Sequence, residues 1–319
     1  MRNNINKKFN QIIIQIIKYY NINKFLIAIS GGQDSICMMK LLEKLPKKLQ
    51  LKIDYIYIDH QWKQNSKQHT ENLIQTCKKI KKEIYIYQIK KISSSENTSR
   101  IYRYNTLINH AINHKNKAII TAHSQSDKIE TFLYNLTRGT GSEGASGLNF
   151  HRKLNKKLNI FRPLIKQNRS EIYFFCKRWL LPIWSDNTNY NYNITRNRIR
   201  NEIIPYFKKY LNKNFECNIT SFLYNIYRDN EYIKQQALKI YLINKNQTYI
   251  ALQHSNIKKQ HLAIQIKVIQ LFIYHNFYIT INKKILFYLI NLIYNTNCSK
   301  KIYYKNIQIY INSKWIYIK

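Results

Sequence analysis

SGGQDS, residues 30 to 35, decides how the first half of the chain is read. It holds Gly31 and Gly32, two of only six glycines in 319 residues. An apolar run, Lys24–Ile29, leads into it, and a stretch of helical periodicity, Ile36–Leu45, leads out. Glycine lacks Cβ, so the chain can turn tightly there and bring its backbone close to a ligand. Successive N–H groups then face one concavity at a helix N-terminus, an arrangement that suits phosphate. Ser30 and Ser35 add hydroxyls, and Gln33 lies between them. Asp34 has the wrong sign for phosphate unless a divalent cation bridges the two, which points to Mg2+. The lysine of the GxxxxGK[ST] loop is missing. A capped helix after a tight turn is the plainer alternative; the strand-loop-helix setting favours a ligand site. The other glycines, Gly139, Gly141, Gly144 and Gly147, crowd one loop, free to approach a ligand or move as a lid.

The flanking segments alternate. Strand-like stretches are Lys24–Ile29, Leu51–Ile58, Glu83–Ile89 and Lys117–Ala122. Helix-like stretches are Ile36–Leu45, Ser66–Lys81, Thr98–His114 and Ser126–Arg138. This rhythm predicts an α/β fold, a parallel sheet with helices on both faces. Ligands in such sheets sit beyond the carboxyl ends of the strands. Ser30, Asp59 and His123 lie at those ends. Arg162-Pro163-Leu164 closes a fifth strand, Ser170–Leu180 reads as a helix, Asp186–Asn193 as a polar linker and Ile194–Leu211 as a helix again. From about residue 215 the pattern changes, and IYYKNIQIYINSKWIYIK near the C-terminus alternates every second residue, as strands do. The expected division is a catalytic domain over 1–213, with a helical extension from about 186, and a smaller α+β domain over 214–319. The length fits about two domains of ~150 residues.

Lys and Arg number 53 against 16 Asp and Glu, a formal net charge of +37. Such a field favours polyanionic partners. Asn, Lys, Ile and Tyr are abundant and Gly and Pro scarce, so part of the basic bias follows A/T-rich codons. A solvated basic surface without a partner is the alternative. Cys37, Cys77, Cys176, Cys217 and Cys298 form no CxxC, which argues against a zinc ribbon, a cluster or a disulfide framework. The apolar stretches are too short for a membrane span. The Ile-rich N-terminus reads as an amphipathic helix rather than a signal or transit peptide.

SGGQDS resembles the PP-loop of the N-type ATP pyrophosphatases, which split ATP into an adenylate and pyrophosphate. Four more stretches resemble the tRNA(Ile)-lysidine synthases among them, in their cyanobacterial and plastid form. These are YIDHQW (57–62), SRIYRY (99–104, with Arg100 and Arg103), AHSQSDKIETFLYNLTRGTG (122–141) and RPLI (162–165) followed by DNTNYNYNITRNRIRNEIIP (186–205). The chain departs from the family pattern at Ser124, where a His stands, and at Ser126, where an Asp stands. The resemblance implies that ATP binds at Ser30, Gly31, Gly32, Gln33, Asp34, Ser35 and Asp59, with Mg2+ on Asp34. It implies catalytic roles for Asp34, Arg103, Asp127 and Glu130. Asp127 and Glu130 are three apart and share a helix face, able to hold Mg2+ on the leaving pyrophosphate or the ammonium of a lysine. Arg138, Arg196, Arg198 and Arg200 are expected to meet tRNA phosphates. The implied reaction joins free lysine to C2 of the wobble cytidine of a tRNA(Ile) with a CAU anticodon, and the C-terminal domain grips the tRNA. The rivals are a thiolase of the same superfamily, disfavoured by the cysteine spacing, and a basic RNA-binding protein with a dead loop. The composition and motif variants imply a plastid-encoded stromal protein, or else the cytoplasm of a reduced endosymbiont. The oligomeric state stays open, a homodimer included.

Overall fold

The computed structural model describes residues 4–59, 61, 66–89, 96–155, 157–184, 192–295 and 299–318. His60, Cys298 and most of the linker read over 186–193 lie outside them. The chain divides into two compact units, Met1–Leu223 and Tyr224–Lys319.

The first unit is built on a six-stranded sheet. Its strands are β1 (Lys24–Ile29), β2 (Lys52–Asp59), β3 (Ile84–Gln88), β4 (Ala118–Thr121), β5 (His151–Lys153) and β6 (Asn159–Phe161). Their order is β3-β2-β1-β4-β6-β5. All neighbouring pairs are parallel except β5 with β6. β1 and β4 are central and read KFLIAI and AIIT, nearly unbroken apolar runs, as strands covered on both faces must be. β5, reading HRK, is a short basic edge strand that the apolar pattern did not signal; its charge and length suit an edge.

Helices α1 (Asn4–Tyr20), α2 (Gln33–Glu43), α3 (Ser66–Lys79), α4 (Glu96–Asn113), α5 (Gln125–Thr137), the single turn α6 (Ser142–Ala145) and α7 (Arg169–Arg178) belong to this unit. The N-terminal isoleucines earn their periodicity: Phe9, Ile13 and Ile16 are buried in the main core with Phe25, Ile27, Leu41 and Leu164. A second cluster around Leu26, Ile56, Leu107 and Ile119 is distinct from the first, so the sheet has two apolar faces to cover. The expected helix over 194–211 is one helical run whose winding changes. It comprises α8 (Thr195–Arg198), a π-helical turn (Ile199–Ile203), α9 (Ile204–Tyr206) and a second π-helical turn (Phe207–Leu211). Pro205 within it removes a backbone donor, which fits the widened turns.

α10 (Phe215–Asn244) spans the boundary between the units. The second unit adds α11 (Ser255–Lys258), α12 (Leu262–Phe277), α13 (Lys283–Tyr294) and strands β7 (Ala251–Gln253), β8 (Lys300–Tyr304), β9 (Ile307–Ile311) and β10 (Trp315–Ile318). The strands form an antiparallel sheet in the order β7-β10-β9-β8. In β9, Ile307, Ile309 and Ile311 point into a core with Phe272, Leu289 and Ile316, while Gln308 and Tyr310 are less buried. No described helix is long and apolar enough to cross a membrane.

Candidate active site

Ser30 follows the last residue of β1, and α2 begins at Gln33, so SGGQDS is the turn between a central strand and a helix. Gly31 has φ +72°, the left-handed region where side chains are strained. A Cβ there would collide with the imidazole of His69 on α3. That ring is buried, hydrogen-bonded to the Tyr57 hydroxyl at 3.1 Å and packed near Trp184, whose N–H donates to Gly31 O at 3.2 Å. The loop is thus held from behind. Within it, the Ser35 hydroxyl donates to Gly32 O at 2.8 Å, and the Ser30 N–H reaches Ser35 Oγ at 3.3 Å.

Asp34 lies in the first turn of α2, where the helix dipole favours a negative charge. Its carboxyl nevertheless sits high, pushed up to about 6 by burial and by the neighbouring charge of Asp127, against a hydrogen bond from Ser124 and the pull of Arg169 and Arg200. Asp59, at the end of β2, is buried and already engaged: the Gln61 N–H donates to Oδ1 at 2.9 Å and the Ser66 hydroxyl to Oδ2 at 2.5 Å. It ties the β2–α3 connection together.

β4 delivers the second half of the site. Ser124 precedes α5, and its N–H and hydroxyl bond to Asp127 Oδ2 at 2.8 and 3.2 Å. Ser124 therefore aims Asp127, a role the sequence reading did not give it. Burial resists ionisation of Asp127, but His123, Arg196, the Ser124 N–H and Arg200 outweigh it and hold the carboxyl low. Glu130, one turn on, is fully buried. Arg200 grips it with two nitrogens, Nε at 2.6 Å from Oε1 and Nη2 at 3.0 Å from Oε2, and Arg196 Nε lies 3.0 Å from Oε2. The two guanidiniums also approach Asp127 Oδ1, at 3.4 and 3.5 Å. Such pairing offsets the cost of burying acidic and basic side chains away from water.

The four arginines expected at RNA phosphates therefore separate. Arg196 and Arg200, four apart on one helical face, turn inward onto α5. Arg198 stays exposed, its Nε donating to Tyr192 O at 2.7 Å, and Arg138 is exposed beside the Tyr134 ring. Arg103 is exposed on α4, and its charge is felt at His123. Beside Glu130 opens a cavity of about 630 Å3 that reaches Gln33 of the loop and Ser126 of α5.

Sequence spacing gave no cysteine pair, yet the fold brings Cys37 of α2 and Cys176 of α7 together, both buried in the core, and the Cys176 thiol donates to Gln33 O at 3.7 Å. Among the described residues no group of three His, Cys, Asp or Glu gathers into a metal cage. A Mg2+ held by one or two carboxylates and by substrate phosphates does not need one, and Asp34, crowded by the charge of Asp127, fits that demand.

A family model for the PP-loop domain matches residues 1–207. The chain is 43% identical over 315 residues to "tRNA(Ile)-lysidine synthase, chloroplastic" of Gracilaria tenuistipitata var. liui, covering 97% of this chain and 98% of that protein. It is 34% identical to the protein of the same name from Pyropia yezoensis, covering 94% and 90%. Among solved structures it resembles the U34-tRNA thiolase NcsA from Methanococcus maripaludis at 14% identity and a TM-score of 0.54, over 70% of this chain and 78% of that one; this likeness concerns the fold.

Proposed function

The chain belongs to the tRNA(Ile)-lysidine synthase family of PP-loop ATP enzymes, and from that premise we propose how its residues divide the work. ATP lies along Ser30–Ser35, its phosphates against the loop N–H groups and the hydroxyls of Ser30 and Ser35. Asp34 is the residue to hold Mg2+, which when bound neutralises charge on the pyrophosphate. The wobble cytidine of a tRNA(Ile) with a CAU anticodon enters unstacked, as a base must to be reached by an enzyme. Its O2 attacks the α-phosphorus, pyrophosphate leaves, and C2 carries AMP. The ε-amine of free lysine then attacks C2 and AMP departs.

Asp127 and Glu130 suit the ammonium of the incoming lysine, which competes for them with Arg196 and Arg200. A carboxylate of the Asp34, Asp127 and Glu130 group takes the proton that makes the amine a nucleophile. A guanidinium released from its carboxylate, with Arg103 nearby in charge, stabilises the phosphates in the transition state. Arg138 and Arg198, exposed as phosphate contacts must be, position the RNA. The second unit offers tRNA a further basic, aromatic surface, as where Lys301 lies 4.9 Å from the centre of the exposed Tyr303 ring. The names of the relatives and the A/T-biased composition support a plastid-encoded protein of the stroma.

One observation carries this reading: a loop shaped for phosphate and a buried carboxylate-guanidinium cluster occur at the same edge of one sheet. Incorporation of labelled lysine into a tRNA(Ile) CAU transcript, with ATP and Mg2+, tests it. Label should appear with cytidine at the wobble position and not with uridine; thiolation of the transcript, or binding without pyrophosphate release, would replace it with one of the rivals.

A further inference from the structure

The cavity beside Glu130 has a wall the reaction has not used. α7 is fixed at its start by reciprocal bonds, the Glu171 N–H to Asn168 Oδ1 at 2.7 Å and the Asn168 N–H to Glu171 Oε2 at 3.3 Å. Its buried face is Ile172, Phe175 and Cys176. The opposite face presents Tyr173 and Phe174 to the cavity, with 48% and 66% of their surface exposed. Their rings lie 5.6 Å apart at 69°, so neither covers the other's outer face. Exposed adjacent aromatics in a pocket call for a planar ligand.

The charges narrow the choice. Arg169, Arg200, Lys208 and Lys209 line the same cavity against only Glu130 and Glu216. Glu130 is taken by Arg200, and Glu216 by Lys208 at 3.1 Å. The remaining field is positive, as an anion requires. Aromatic rings interleaved with cations are the recognition chemistry of single-stranded nucleic acid. The inner end, at Gln33 and Ser126, abuts the ATP loop.

We propose that this cavity seats a nucleotide flanking the reacting cytidine, its base stacked on Tyr173 and Phe174 and its phosphate beside Lys209 and Arg169. The assignment rests on the function proposed above. It makes α7 a reader of the anticodon loop: the flanking base is held, and the cytidine is thereby splayed toward the loop at Gln33.

The test uses the full chain and a fluorescent anticodon stem-loop RNA, intact or with the bases on either side of the wobble position removed one at a time. Tyr173→Ala with Phe174→Ala should weaken binding of the intact loop by about 5- to 150-fold, the worth of one base on an aromatic. KM for the RNA in lysine incorporation should rise alike, with those for ATP and lysine held. Removing the flanking base should weaken wild-type binding as much and should do nothing further to the double variant. Tyr173→Phe with Phe174→Tyr, which keeps both rings, should bind as wild type. Undiminished binding by the double alanine variant, or equal losses with and without the base, overturns the proposal. So does a rise in KM for lysine with the RNA unaffected, because the cavity would then hold the amino acid. Binding is read without catalysis, so a chain that stacks the loop yet attaches no lysine refutes the proposed function and leaves this site standing.

Discussion

Replacing Asp34 with Asn is expected to abolish the chemistry and to stabilise the ligand-free protein. The Asp34 carboxyl is raised from 3.8 to about 6, first by burial and then by Asp127. A raised acid binds its proton more tightly in the folded state, so folding is favoured where it is protonated and disfavoured as the pH climbs through 6. Two pKa units correspond to about 3 kcal/mol, the upper limit of what the ionised form withholds at pH 8. For a unit the size of Met1–Leu223 that is a rise of roughly 6 to 12 °C in melting temperature. The amide has no charge to desolvate and keeps the shape. The difference in melting temperature between variant and wild type, measured from pH 4.5 to 8 without nucleotide, should be smallest at the acid end and grow through pH 6. Adding Mg2+ with ATP should shrink it, because the cation removes the penalty on the wild type. No gain at pH 8, or the same gain at every pH, would refute the reasoning.

Glu130→Ala leaves the inward guanidiniums without their main partner, and removing one side of a buried pair costs about 3–5 kcal/mol. Urea unfolding should show a loss of that order, with Glu130→Gln losing less. Gly31→Ala forces a Cβ into His69 at a positive φ, so ATP affinity and stability should both fall, by about 1–3 kcal/mol in stability. His69→Ala added to it should restore part of the loss, as ATP-binding titrations and melting curves of the double variant would reveal. Arg138→Ala and Arg198→Ala should each raise the Kd for tRNA several-fold and lower the slope of log Kd against log salt by about 1, with unchanged melting temperature.

The sheet was legible because its strands are short apolar runs ending in polar or glycine residues at regular intervals, and β1, β2, β3 and β4 lie within a residue or so of their expected bounds. β5 was not, since HRK carries no alternation; only pairing with β6 makes it a strand. The loop residues and the shared face of Asp127 and Glu130 followed from local spacing. What those carboxylates touch did not. Arg196 and Arg200 have the spacing of a solvated basic face, and only the packing of the 195–211 run against α5 shows them turned inward. The bond of Ser124 to Asp127, the wedge of His69 behind Gly31 and the meeting of Cys37 with Cys176 likewise join segments whose proximity no local pattern encodes.

The inward arginines also set a timetable. Glu130 leaves the ribosome 70 residues ahead of Arg200 and 66 ahead of Arg196. At about 5–20 residues per second that gap is roughly 4 to 14 s. Through that interval β1 to β4 are all present, yet closing α5 onto the sheet would bury an acid with no countercharge. A product that stops short of Arg196 lacks both guanidiniums that pair with Glu130, and is expected to be cut by proteases faster than the full chain.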